Sequence, residues 1–291
     1  MAKRSVEVSG PFSLAATCGP VAWGRDRWPN VGWQDGSFIW AGWEGDEVVW
    51  RSVAQPAGDR SALLVQGSAS PDDDAAWLAR CLGTEAPAPD FADSVLRRLQ
   101  VSFAGLRPYA AGSLFEGLIS SIAGQSISVA AAAVAQARLA ALFHPGIEVA
   151  GRRFLPFPRV EQLAESEPAF IRQSGVTWRR AEAIVAAARA ELAGRLPTAV
   201  DANHDPDAAR SALRALPLVG PWTAESALLW GLGAADAHPT GDVALLRAVR
   251  LAYDRPEITL KELDTLADAW RPARAWAARL LWTNLLGPAA D

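Results

Sequence analysis

Cysteine is almost missing: Cys18 and Cys81 are the only two in 291 residues, far apart and both toward the N-terminal end. A disulfide framework is thereby excluded, as is any metal or iron–sulfur site built on several thiolates, and a reducing cytoplasm suits the pair. Lysine is equally scarce, limited to Lys3 and Lys261, so arginine carries the positive charge. The three histidines, His144, His204 and His238, fall at no metal-ligand spacing. No apolar run is long enough to cross a bilayer. Pro11, Ser13, Thr17, Gly19 and Pro20 interrupt what would be the apolar core of a leader after Lys3 and Arg4. An excess of positive charge is also lacking: the formal net charge is −4, which excludes nucleic-acid binding through bulk charge alone. The expectation is a soluble cytoplasmic protein, monomeric, with neither metal nor cofactor.

What is present divides the chain in two. It is long enough for two domains, and half its residues are hydrophobic. Residues 1–92 carry a net charge of −5 and residues 93–291 one of +1. In the first part, residues 38–43, 47–53 and 61–66 are apolar, aromatic runs separated by Gly, Asp and Pro turns, the signature of strands. Asp72, Asp73 and Asp74 then open a helix with Trp77, Leu78, Cys81 and Leu82 on its inner face, and residues 84–89 read as a linker. Trp23, Trp28, Trp33, Trp40, Trp43 and Trp50 crowd the first fifty positions, and the sequence leaves open whether they form core or stack nucleobases.

The second part is helical nearly to its end. Ser113 and Glu116 have the spacing of a capping box, with Leu114, Leu118, Ile119 and Ile122 on one face up to Gly124. After an interruption at Gly124, Gln125 and Ser126, an Ala-rich helix runs to Phe143, and another runs from Trp178 to Leu192. The distinctive stretch is 216–250, LPLVGPWTAESALLWGLGAADAHPTGDVALLRAVR. Two helical patterns, about 208–216 and 224–232, are joined there by a tight Pro/Gly turn. Such a hairpin presents backbone N–H groups and a helix N-terminus, which suit a phosphate; its simpler role is a change of direction. Asp242 follows Pro239, Thr240 and Gly241 and precedes an amphipathic run, where an N-cap belongs. His238, four residues earlier, is either an active-site neighbour or a plain loop histidine.

Residues 216–224, Leu-Pro-Leu-Val-Gly-Pro-Trp-Thr-Ala, with Asp242 beyond them, resemble the hairpin and catalytic aspartate of the helix-hairpin-helix DNA glycosylases, above all the 3-methyladenine glycosylase II type. Leu218 stands where that family has its first hairpin glycine. The resemblance implies a mainly α fold: an α+β N-terminal domain with a small antiparallel sheet (1–92), then an all-helical domain (93–291) with the hairpin at about 208–232. Asp242 is implied as the catalytic carboxylate, and Leu218, Val219, Gly220 and Thr223 as the DNA-binding turn. Gln125, Ser126, Ile127 and Ser128 match the family's loop whose bulky residue fills the gap left by a flipped nucleotide. Ser126 is too small for that, which leaves Ile127 or another loop to plug the duplex. Trp222 and, from the closing helix, Trp282 are implied as walls of the base pocket, with core packing as the alternative for Trp282. Gln125 and Ser226 complete the substrate-binding set; Ser226 replaces an aromatic found in some relatives. Arg152, Arg153, Arg172, Arg179, Arg180 and Arg247 are candidates for a local cationic surface.

The implied chemistry follows from the bond broken. Loss of a base leaves an oxocarbenium-like sugar, which a nearby carboxylate stabilises while it orients water. The base must first be extruded from the duplex and held between aromatic faces, and a cationic N-alkylated purine gains about 0.5–2 kcal/mol over indole. Strand-nicking relatives use a lysine where this chain has Trp222, so the expected enzyme is monofunctional and leaves an abasic site. The expected partner is double-stranded DNA with damaged, alkylated purines, met in a nucleoid-associated setting. Oxidised or deaminated purines are the alternative substrates, and a catalytically silent lesion sensor is the alternative function.

Overall fold

The computed structural model describes residues 3–25 and 27–290. Five strands, β1 (Arg4–Glu7), β2 (Val31–Gln34), β3 (Ser37–Glu44), β4 (Glu47–Ala54) and β5 (Ala62–Gly67), form one antiparallel sheet in the order β1-β5-β4-β3-β2. The three runs expected from the sequence are β3, β4 and β5; β1 and β2 are four residues each, too short for alternation to reveal them. Asp35 and Gly36 both have positive φ, 48° and 68°, so β2 and β3 are joined by a two-residue turn whose twist matches the strands. Phe38, Val53, Leu63 and Val65 share a core with Trp77, Leu78 and Leu82 of the Asp74–Leu82 helix. Arg51 locks that helix to the sheet: its guanidinium is 3.0 Å from Asp74 and 3.1 Å from Glu44 and lies over the rings of Trp40 and Trp77.

The early tryptophans are used for packing and fastening. Trp33 is buried in the sheet core, and the Trp28 indole N–H donates to the Pro20 carbonyl at 3.1 Å. Trp43 donates to the Phe157 carbonyl at 2.8 Å and Trp23 to that of Gly287 at 2.9 Å, so two of them bind the N-terminal part to the helical part.

In the helical part the Leu114–Gly124 helix is central, flanked by Val129–Ala141, Trp178–Leu192 and the second hairpin helix. Its Leu118, Ile119, Ile122 and Ala123 are fully buried. The approach to the hairpin is close because glycines meet: a Cβ on Gly117 would lie 2.5 Å from the Gly231 Cα, and one on Gly231 would lie 2.8 Å from the Ser113 carbonyl oxygen. Backbone cannot yield there as a flexible side chain would.

The capping box expected at this helix is only half formed. Ser113 Oγ accepts from the Glu116 N–H, but the Glu116 carboxylate turns to Asn30, whose Nδ2 donates to it at 2.8 Å. Burial pushes the Glu116 carboxyl up to about 7, against a smaller lowering by the Asn30 bond.

Two outcomes follow. Gly117→Ala should lower unfolding stability by about 1–3 kcal/mol, the usual cost of overpacking, measured by urea denaturation; a loss under 0.5 kcal/mol would contradict the close approach. Because the folded Glu116 value lies above the unfolded one, its contribution is present at low pH and lost as pH rises from about 4.5 through about 7. Glu116→Gln should therefore gain stability on the wild type steadily between pH 5 and 8, and parallel pH curves for the two proteins would contradict this.

Candidate active site

The hairpin begins at Asp205, whose carboxylate accepts from the Ala208 N–H at 2.9 Å and caps the Pro206–Arg214 helix, with Pro206 at its first position. Both hairpin helices start two or three residues earlier than their apolar pattern, at Pro206 and Pro221, which occupy first helical positions. In the turn between them Val219 is buried and Leu218 is exposed with φ 60°. Leu218 thus adopts the left-handed conformation for which glycine is the natural occupant. No side chain among the described residues caps the second helix, Pro221–Ala227, at Gly220. Its last turns, Leu228–Leu232, widen to π-helix.

Asp242 lies at the N-cap of the Val243–Tyr253 helix, set there by the Pro239-Thr240-Gly241 turn, in which Gly241 has φ 82° and the Asp242 N–H bonds the Pro239 carbonyl. Its Oδ1 accepts from the Leu245 N–H at 2.6 Å and its Oδ2 from the Trp222 indole N–H at 2.9 Å. The capping and catalytic readings are therefore compatible: two donors fix the carboxylate, and each oxygen keeps a second lone pair. Trp222 and Asp242 are both half-buried. His238 is buried, with its ring Nε2 2.8 Å from Asp264 and its backbone N–H 2.9 Å from Glu225.

The Gln125 side chain is bound to the hairpin: its Nε2 donates to the Leu218 carbonyl at 2.8 Å and to the buried Thr223 hydroxyl at 2.9 Å, while the Gln125 backbone carbonyl accepts from Arg180. Ser126, φ 57°, and Ile127 are exposed beside it, Ile127 with 41% of its surface. The 125–128 loop and the hairpin turn are thus joined, and Ile127 and Leu218 are the exposed apolar side chains of the two.

Trp282 is 4% exposed and stacks on Trp230 at 5.4 Å and 23°. The fully buried Arg279 lies 5.3 Å from the Trp230 ring and 5.4 Å from that of Trp23; burial depresses its guanidinium to about 9. Ser226, one turn after Trp222, is 1% exposed and its hydroxyl has no hydrogen-bond partner among the described residues. Of the candidate arginines, Arg180 holds Gln125, Arg152 lies over Phe154 and Arg172 over Trp178, while Arg153, Arg179 and Arg247 are exposed. Among the described residues no group of three His, Cys, Asp or Glu side chains is gathered to hold a metal ion. Trp230, Arg279, Glu225 and Arg210 escaped the sequence reading. Trp230 sits one turn from Ser226 in an apolar run, a usable signal, whereas the others act through contacts distant in sequence.

No family model matches the chain. It is 35% identical over 175 residues to a probable bifunctional transcriptional activator/DNA repair enzyme AlkA of Mycobacterium tuberculosis, a match covering 60% of this chain and 34% of that protein. It is 30% identical over 194 residues to DNA-3-methyladenine glycosylase 2 of Escherichia coli, covering 67% of this chain and 66% of that one. The chain therefore spans less than two thirds of either relative's length. Among solved structures, a 3-methyladenine DNA-glycosylase from Archaeoglobus fulgidus superposes with TM-score 0.80 over 97% of this chain and 98% of that one at 22% identity. An 8-oxoguanine glycosylase/lyase of Clostridium acetobutylicum superposes with TM-score 0.73 over 97% and 95% at 15% identity. These two share the fold, and in sequence the chain is similar to the AlkA-type 3-methyladenine DNA glycosylases of the helix-hairpin-helix superfamily.

Proposed function

We propose that the protein is a monofunctional DNA glycosylase that hydrolyses the N-glycosidic bond of flipped-out damaged purines, alkylated ones first, in duplex DNA. The observation that carries this is Asp242, held by the Trp222 indole at 2.9 Å where the hairpin's second helix begins. The uncapped N–H groups of the hairpin turn take a phosphate of the strand, and exposed Ile127 enters the duplex where the nucleotide leaves. Exposed arginines on the same helical part, among them Arg179, supply the local positive charge that the −4 balance withholds from the whole. With the sugar beside it, the Asp242 carboxylate faces the developing oxocarbenium charge and orients water on its free lone pairs. The monofunctional reading rests on position 222, which is Trp, and on the two lysines, Lys3 and Lys261, both of which lie outside the hairpin.

A neutral lesion, an oxidised or deaminated purine, is the second reading, and Arg279 favours it. The guanidinium lies 5.3 Å from the Trp230 ring, on which Trp282 stacks, so this pair of rings already neighbours a positive charge. This reduces the advantage of a cationic alkylpurine.

The test is base release from duplexes carrying 3-methyladenine, 7-methylguanine, hypoxanthine or 8-oxoguanine. Wild type should release at least one, Asp242→Asn should be slower by about a thousandfold, and strands should break only after alkali. No release of any base with measurable duplex binding would overturn the enzyme and leave a lesion-sensing scaffold.

A further inference from the structure

Resting on that reading, we propose that Glu225 is a positioning residue for Asp242, fastening the loop that carries the aspartate to both helices of the hairpin. The loop between Leu232 and Val243 has no regular structure of its own to fix Asp242. It is instead held at two points by one helix. Trp222 donates to the Asp242 carboxylate, and three residues later Glu225 Oε2 accepts the backbone N–H of His238 at 2.9 Å. Three residues along a helix are neighbours on one face, so the two bonds make a pair of rungs that meet residues 238 and 242 of the loop.

The other oxygen of Glu225 closes the arrangement. Oε1 accepts from Arg210 Nε at 2.5 Å, and Arg210 belongs to the first hairpin helix. Arg210 also donates to Asp207 at 3.1 Å and to the Asp236 carbonyl at 3.4 Å, so it touches the loop directly. The Glu225 side chain is 13% exposed and that of Arg210 20%, so both ends of the bond are largely shielded from water. From the far side, Arg274 takes the Asp236 carboxylate at 2.8 Å and its carbonyl at 2.8 Å, Arg271 takes the same carboxylate, and Asp264 takes the His238 ring at 2.8 Å. The loop is thus clamped to the last two helices and tied to the hairpin, and the Glu225–Arg210 pair joins both hairpin helices to it, Glu225 at His238 and Arg210 at Asp236. Without its carboxylate, the His238 N–H loses its acceptor and Asp242 keeps a single rung to the hairpin. Hairpin seating on DNA and the place of Asp242 then cease to be one rigid geometry.

The test compares wild type, Glu225→Ala and Glu225→Gln in single-turnover base release from whichever lesion the wild type removes, below each protein's melting temperature. Affinity for a duplex bearing an uncleavable abasic analogue is measured alongside. Glu225→Ala should lose at least about tenfold in the single-turnover rate while its affinity changes less than about threefold. Glu225→Gln, which keeps an oxygen for the His238 N–H, should recover most of the rate. A purely structural role would move the melting temperature and leave the rate of folded protein unchanged, and that result overturns the inference. So does a Gln variant as slow as Ala, or, where Ala does not fold, a Gln variant slowed tenfold. A wild type inactive on every lesion overturns the proposed activity, and with it this role, whereas an active wild type indifferent to position 225 overturns this role alone.

Discussion

The hydrogen bond from the Trp222 indole to the Asp242 carboxylate joins the two halves of the site, and the surrounding architecture serves to keep its ends in register. Trp222 stands at the start of a helix pressed on the central helix through Gly117 and Gly231, an approach that no larger residue permits. Asp242 stands at the start of another helix, whose Leu245 N–H takes its second oxygen. A carboxylate shared between a helix cap and an indole cannot swing into solvent without leaving a donor unpaired. Burial around it is partial, so the group stays open to a ligand on one side.

The distribution of charge is compatible with the proposed DNA site despite the negative net balance. Acidic balance resides in the N-terminal part, where Arg51, Asp74 and Glu44 are spent on holding the helix to the sheet. In the helical part several arginines have structural work: Arg180 on Gln125, Arg210 on Glu225, Arg274 on Asp236 and Arg279 between two tryptophans. The charge available to a phosphate backbone is thus that of the exposed arginines, among them Arg153, Arg179 and Arg247, beside the hairpin's backbone N–H groups in the proposed grip.

Local signals in the chain were readable where the residues act on their own neighbours. β3 to β5, the Trp178–Leu192 helix, the Asp205-Pro206 start and the Asp242 cap all follow from patterning and capping chemistry within a few residues. Leu218 is instructive: it departs from the family's glycine in type, yet the backbone keeps the left-handed φ of 60° that glycine serves. What escaped the sequence depends on distant partners. Glu116 looks like a capping-box residue until Asn30 is seen beside it, and Glu225 looks like a solvated helix charge until Arg210 and His238 converge on it. Trp282 was expected as a pocket wall; its stacking on Trp230, and the cation 5.3 Å from that ring, belong to a tertiary arrangement that spacing along one helix does not encode.

The central claim is that the Asp242 carboxylate faces positive charge developing on the sugar. It is tested most directly by equilibrium binding to two duplexes that differ only at an abasic position, one bearing a cationic pyrrolidine sugar mimic and the other a neutral tetrahydrofuran. The account predicts tighter binding of the cationic duplex by at least about tenfold, a preference that vanishes in Asp242→Asn. Equal affinities in the wild type, or a preference that survives the substitution, would contradict it.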